Sequence, residues 1–444
     1  MSDTELKDGI EAGSGVGEAD ALVTGTESVD AGRSIPPVEA VRNFAGMVVD
    51  SAGKAGATVA LAAGKLGSTA VEVAGDIYAA AGGETGKMAE GNCRKDDGTY
   101  VLPTPLIDGR ESKELKILTD KYKRLIEPNF IEKTGKKLVG VIPQEAKEPF
   151  ESILHGVTQQ EFYKQAMSVV ADGFKGIEQQ VSKYTVSSEY VVGAVNDSGQ
   201  KEKISNLREI CLLRGYDAAK IANSQGSFHL ALAFSEGAAT GAPGFIGIPF
   251  NLVLSTFLYY RAVQSVAMFY GYDVKNDPAE LVIAGEVFSN AMAPSQENND
   301  GKTEIIGKVM LVSELAAVNQ AVKKGWEAAA ERGGVALLIV QMRALANGAA
   351  RKALEKAGQE GLEASIFRSI FEQLGKSLSQ KVVQRGIPVI GGVIGAFFDA
   401  GMMSRILTYA NIFYEKRFIL EKEARIEALS ENMSFDEVIG TADA

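Results

Sequence analysis

Between Gly237 and Tyr260 the chain carries no charged residue in 24 positions, and between Gly386 and Ser404 it carries only Asp399. Runs of this kind are buried, either in a protein core or against lipid. A transmembrane helix needs about 20 continuous apolar residues. Pro243, Gly244, Gly247 and Pro249 interrupt the first run, and Asp399 sits inside the second, where a charge facing lipid is costly. Simple spanning is therefore not supported. Gly237 to Gly241 and Gly391 to Gly395 are both GxxxG, a spacing that presents a flat helix face to a neighbouring backbone. We read two glycine-rich helical hairpins, which belong either to the protein's own core or against a bilayer. Arg261 and Asp399 border them and become a candidate pair if the hairpins pack together.

From Pro149 to Leu429 the pattern is helical almost throughout. Apolar residues fall at i, i+3 and i+4 in Phe162, Ala166, Val169, Val170 and Phe174, and again in Ile210, Leu213, Ala218 and Ile221. Residues Tyr184 to Val195, rich in Val, Tyr, Thr and Ser, read as a short strand pair or a loop, with the loop favoured. With 48 Gly against 12 Pro in 444 residues, closely packed helices are favoured over turn-rich structure. The expected fold is all-α, a multi-helix bundle with the two glycine-rich hairpins in its core.

The N-terminal third differs. Residues 1–36 are acidic and poor in apolar side chains, so they read as a disordered tail. They lack the basic start and apolar run of a secretory signal, and a cytoplasmic place, peripheral to the membrane, is expected. In residues 37–92 an 11-residue repeat puts Gly53, Gly64, Gly75 and Gly86 in register, which at 3.67 residues per turn keeps them on one side of a helix. Ala52, Val59, Leu66, Val73 and Ile77 share the opposite, apolar arc, while Lys54 and Lys65 lie on the polar side. Such a helix is marginal alone. It docks on the rest of the chain, lies on a lipid surface through Lys54, Lys65, Leu66 and Ile77, or stays unfolded. Residues 93–148 read as a linker with one basic helix, about Ser112 to Ile126. Residues 149–429 form the main helical domain, and 430–444 a flexible tail.

The net charge of −11 and the lack of a basic stripe interleaved with aromatics disfavour nucleic acid. Two Cys and two His, far apart, exclude a disulfide scaffold and a Cys/His zinc site. Gly301-Lys302-Thr303 resembles the end of a P-loop, but Gln296 stands where its first Gly is required. No metal or cofactor is expected. The weak catalytic candidates are His229 with Glu236 seven residues on, and Asp399. Cys211, between Ile210 and Leu212, reads as a core thiol.

The stretch from Ala238 to Val274, closing on Tyr270-Gly271-Tyr272-Asp273, resembles a glycine-rich helix and the alanine-rich helix after it in the EcsC family of bacterial proteins. Gly386-Ile387-Pro388 through Gly391 and Gly395, followed by Arg417, is similar to the family's C-terminal P-x-x-G-x-x-x-G-A helix. The positions that match are Gly241, Gly244, Pro249, Arg261, Tyr270, Gly271, Pro388, Gly391, Gly395 and Arg417. The resemblance covers about Pro149 to Glu427. It implies a helical, membrane-linked protein without an agreed catalytic activity, from a family named after an operon that encodes an ABC transporter. The expected role is non-enzymatic, at the cytoplasmic membrane surface or in a membrane-bound assembly, with an anionic lipid surface or a membrane protein as partner. The rivals are a membrane-inserting or pore-forming effector, and a hydrolase-like enzyme using His229, Glu236 and Asp399.

Overall fold

The computed structural model describes residues 91–127, 186–224, 247–292, 301–314, 334–385 and 400–441, with residues 164, 167, 168 and 170. The acidic segment, the ladder glycines of the repeat, residues 237–246 of the first uncharged run and residues 386–399 of the second lie outside them. Among the described residues the only strands are β1 (Gly91–Asn92) and β2 (Glu202–Lys203), paired parallel, so the all-α expectation holds. The named helices are α1 (Gly109–Ile126), α2 (Ser188–Asp197), a 3-10 helix (Leu207–Leu212), α3 (Gly247–Phe269), α4 (Pro278–Met292), α5 (Gly301–Leu311), α6 (Val335–Arg385), α7 (Ala400–Ser430) and α8 (Phe435–Ile439), and a further helix begins at residue 215. No described helix is long and apolar enough to cross a membrane.

Local chemistry sets the ends of these helices. Asp108 caps α1 by accepting from the backbone N–H of Arg110 and Glu111, and Glu111 returns a bond from the Asp108 N–H, a reciprocal capping box. Helix α3 stops at a Schellman motif: the Gly271 N–H donates to the Met268 carbonyl and the Tyr272 N–H to that of Ala267. Gly271 has φ +81, and a Cβ there would lie 2.5 Å from Arg425 Nη2 and 2.7 Å from the Leu207 carbonyl. Only glycine fits. Pro249 falls in the first turn of α3, where its missing N–H has no intrahelical role. Helix α6 breaks at Gly358, with φ 69 and ψ 177.

Helix α7 is the hub. It packs against α1, the 3-10 helix, α3, α4, α5 and α8, and the eleven residues from Ile412 to Lys422 are all buried. A helix enclosed on every side has no polar face. The described end of the first uncharged run is core: Val253, Leu254, Phe257, Leu258, Tyr259 and Tyr260 are buried in α3.

Two sequence readings need correction. Residues 188–195, part of the stretch read as a loop, belong to α2, because Ser187 caps the Tyr190 N–H and Val191 and Val195, one turn apart, are fully buried. Ile210 to Ile221 is not one helix. The 3-10 helix ends at Leu213, which is extended at ψ 165, and a new helix starts at 215. The break frees the Leu213 carbonyl and the Gly215 N–H to bond Lys422 and Glu111.

Candidate functional site

The buried part of α7 carries Glu415, Lys416, Arg417, Glu421 and Lys422, and their partners define the centre of the protein. Ionised groups out of water need paired charges and satisfied hydrogen bonds. Arg417, fully buried, donates through Nη1 and Nη2 to Glu280 on α4, at 2.8 and 2.9 Å, and through Nε and Nη2 to Glu421, at 2.7 and 3.1 Å. The Tyr272 ring lies 4.1 Å from the Arg417 guanidinium carbon, and its hydroxyl donates to Glu421 at 3.0 Å. Glu280 also accepts from Arg343 on α6 at 2.8 Å. Arg343 in turn holds Asp277, before α4, and Asp436 on α8, the latter bidentate at 2.9 and 2.6 Å. Positive and negative groups thus alternate from Asp436 to Glu421, joining α4, α6, α7 and α8.

Burial acts to raise the pKa of Glu280, but the guanidiniums of Arg417 and Arg343 outweigh it and hold the carboxyl below its ordinary range. For Arg417, burial acts to lower the pKa, and Glu280 and Glu421 more than reverse it. A carboxylate held ionised and closed to water does not exchange protons near neutral pH, so this network does not supply a general acid or base.

A second node joins α1 to α7. The Glu111 carboxylate accepts from Lys422 Nζ at 2.6 Å, the Gly215 N–H at 2.7 Å, the Asp108 N–H at 2.9 Å and Arg214 at 3.2 Å. A third is Lys416, which donates to Thr119 Oγ1 on α1 and to the Met310 carbonyl on α5 at 2.6 Å, with no carboxylate among the described residues bonded to it. Burial pushes Lys416 down to about 7. Burial, helped by Glu114, pushes Glu415 up to about 8.

Of the positions singled out in the sequence, Arg417, Tyr270 and Gly271 meet at this centre. Tyr270 packs 6.2 Å from Phe418, and the Tyr270 and Gly271 carbonyls accept from Arg425. Arg261 pairs with Glu363 on α6 at 2.6 Å; Asp399, its suggested partner, lies outside the described residues. So do His229, Glu236, Gly241, Gly244, Pro388, Gly391, Gly395, Lys54, Lys65, Leu66 and Ile77. Cys211 is fully buried, and burial raises its thiol to about 11, so it is an unreactive core thiol. Among the described residues no group of three or more His, Cys, Asp or Glu is placed to hold a metal. A shallow apolar groove between α4, α5 and α6, lined by residues including Ile283, Ile306, Met342 and Leu345, carries Glu286 as its one ionisable group.

Sequence reasoning missed Glu111, Glu280, Arg343, Glu421 and Lys422. The signal was present in α7, where apolar residues at 412–414, 418–420, 424 and 426 leave no polar side for the charges between them.

Comparison with known families matches the chain to the EcsC protein family model over residues 110–419, starting at α1 and including most of α7. Neither the curated proteins nor the solved structures include a match to the chain.

Proposed function

The chain belongs to the EcsC protein family, and from that membership we propose that it acts without catalysis, as a helical body that holds glycine-rich apolar segments at the cytoplasmic surface of a membrane or in a membrane-bound assembly. The observation that carries this reading is the closure of the centre. Arg343, Arg417, Glu280 and Glu421 are buried and bonded to one another, so their charge ties helices together rather than facing a substrate. Two sequence features support the membrane part. The uncharged runs lead directly into α3 and α7, two helices of the closed body, and the repeat at Gly53 to Gly86 pairs an apolar arc with Lys54 and Lys65. The expected partner is an anionic lipid surface or a membrane protein.

The test is co-sedimentation and dye release with neutral and anionic vesicles, using the full chain. A peripheral protein binds anionic vesicles and is released by salt, because surface attraction is screened within about 8–10 Å. Salt-resistant binding with leakage would favour the inserting, pore-forming alternative, which the 24-residue uncharged run also suggests. No binding to either vesicle would overturn the lipid-surface reading and direct the search to a protein partner.

A further inference from the structure

Helix α1 turns one face to the hub and the other to solvent. Leu115, Leu118, Tyr122 and Leu125 are buried, Glu111 bonds Lys422 and Thr119 bonds Lys416, so one side of α1 is fixed against α7. At about 100° per residue, the side away from these contacts carries Lys113, Ile117, Lys121 and Arg124 within an arc of about 80°, with Lys116 and Lys123 along one border. All six are exposed. Lys113, Lys116, Lys123 and Arg124 form no ion pair among the described residues, and Lys121 pairs with Glu114 at 3.6 Å. Arg110 falls in the same arc, with its guanidinium carbon 3.9 Å from the Tyr216 ring centre.

The carboxylates on this side of α1 are Glu114, Asp120 and, just past the helix, Glu127, fewer than the cations around them. Glu415 on α7 also faces Glu114, Lys121 and Arg110; burial raises it to about 8, so at pH 7 it is neutral and offsets none of them. In a chain of net charge −11 this helix face is therefore locally cationic. It also exposes large apolar side chains. Ile117, 46% exposed, is at the centre of the arc. Thr119, which shares the border of Lys116 and Lys123, has its Oγ1 2.9 Å from the Val312 carbonyl, which brings the end of α5 alongside and with it Leu311, 50% exposed. The cations are spread over about three turns rather than converging on one point, which suits many head groups rather than a single carboxylate.

We propose that the exposed face of α1, through Lys113, Lys116, Lys123 and Arg124 around Ile117, is the surface by which the helical body docks on an anionic phospholipid bilayer. Ammonium and guanidinium groups would meet the lipid phosphates while Ile117 enters the head-group boundary. The proposal rests on the membrane reading above and assigns the contact to the described body rather than to the glycine repeat.

The experiment uses the full chain, a variant combining Lys113→Gln, Lys116→Gln, Lys123→Gln and Arg124→Gln, and a charge-matched control combining Lys201→Gln, Arg351→Gln, Lys352→Gln and Lys356→Gln, four exposed cations on other elements. Co-sedimentation is measured with phosphatidylglycerol and phosphatidylcholine vesicles at about 0.1 M salt, with thermal unfolding to verify that each variant folds. The parent is expected to bind phosphatidylglycerol, the α1 variant about tenfold or more weakly, and the control within about threefold of the parent. Ile117→Gln is expected to keep binding at low salt and to be released at a lower salt concentration than the parent, because its apolar contribution is not screened. An α1 variant that binds as the parent does would overturn this face and leave the membrane reading standing. Equal weakening of the α1 variant and the control would assign binding to net charge and also overturn it. A parent that binds no vesicles would overturn both, and if it bound polyglutamate through the same four residues, the face would belong to an acidic protein instead.

Discussion

Glu111 on α1 and Lys422 on α7 are 311 positions apart in sequence and 2.6 Å apart in the fold, both with fully buried side chains. Helix α1, set in a linker by sequence reasoning, is thus clamped to the hub helix, and the family match begins within its first turn.

Removing one partner of this pair leaves the other charge buried and uncompensated, which costs about 3–5 kcal/mol. Lys422→Met is expected to destabilise by that order in urea unfolding. Adding Glu111→Gln to Lys422→Met is expected to recover part of the loss, because the carboxylate that needed the ammonium is gone. Strictly additive losses would show that the two residues do not act together.

Arg417→Lys is expected to cost about 3 kcal/mol or more, although the charge is kept. A lysine has one nitrogen to replace a guanidinium that bridges Glu280 and Glu421 along two edges. Lys201→Met, at a surface pair with Glu202, is expected to leave the unfolding midpoint unchanged.

Glycine substitutions should diverge in sign. Gly271→Ala combines a left-handed backbone with a Cβ inside contact distance of Arg425 and Leu207, and is expected to lower stability by about 1–3 kcal/mol. Gly348→Ala lies within α6 with nothing within 4 Å of the new Cβ, and is expected to raise it by about 0.5–1 kcal/mol. Thermal unfolding of the two variants checks both.

Glu415 and Lys416 give opposite pH slopes. With Glu415 at about 8 in the folded state against an ordinary 4.5, the native protein holds a proton that the unfolded chain has released, so this group's contribution falls as pH rises from 4.5 to 8. With Lys416 at about 7 against 10.5, the unfolded chain holds the extra proton, so its contribution rises from pH 7 to 10.5. Urea midpoints measured across pH should lose the first slope in Glu415→Gln and the second in Lys416→Met. An unchanged profile in either variant would refute its assignment.

Much of the fold was legible because its signals are local. The Ser112 to Ile126 helix was readable to within three residues, and the Tyr270-Gly271-Tyr272-Asp273 string marks a helix end whose glycine is required by a positive φ. The loop reading of 184–195 failed because β-branched composition was weighed above the Ser187 cap and the Val191 and Val195 pair. The site was less legible. Arg417 was singled out through the family motif, but nothing in its own neighbourhood names Glu280 as its partner.

The sequence by itself determined that the chain is helical, where several helices begin and end, and that charge is withheld from two long runs. Those properties follow from caps, spacing and composition, which act over a few residues. Only the tertiary structure decided which charges neutralise which. A buried carboxylate takes its donors from whatever elements packing brings within about 3 Å, and for Glu111 these come from residues 108, 214, 215 and 422. Enclosing residues 412–422 of α7 on all sides turned a charged stretch into the interior of the protein, because a helix segment without a solvent face leaves its ionised side chains only each other and their neighbours to bond.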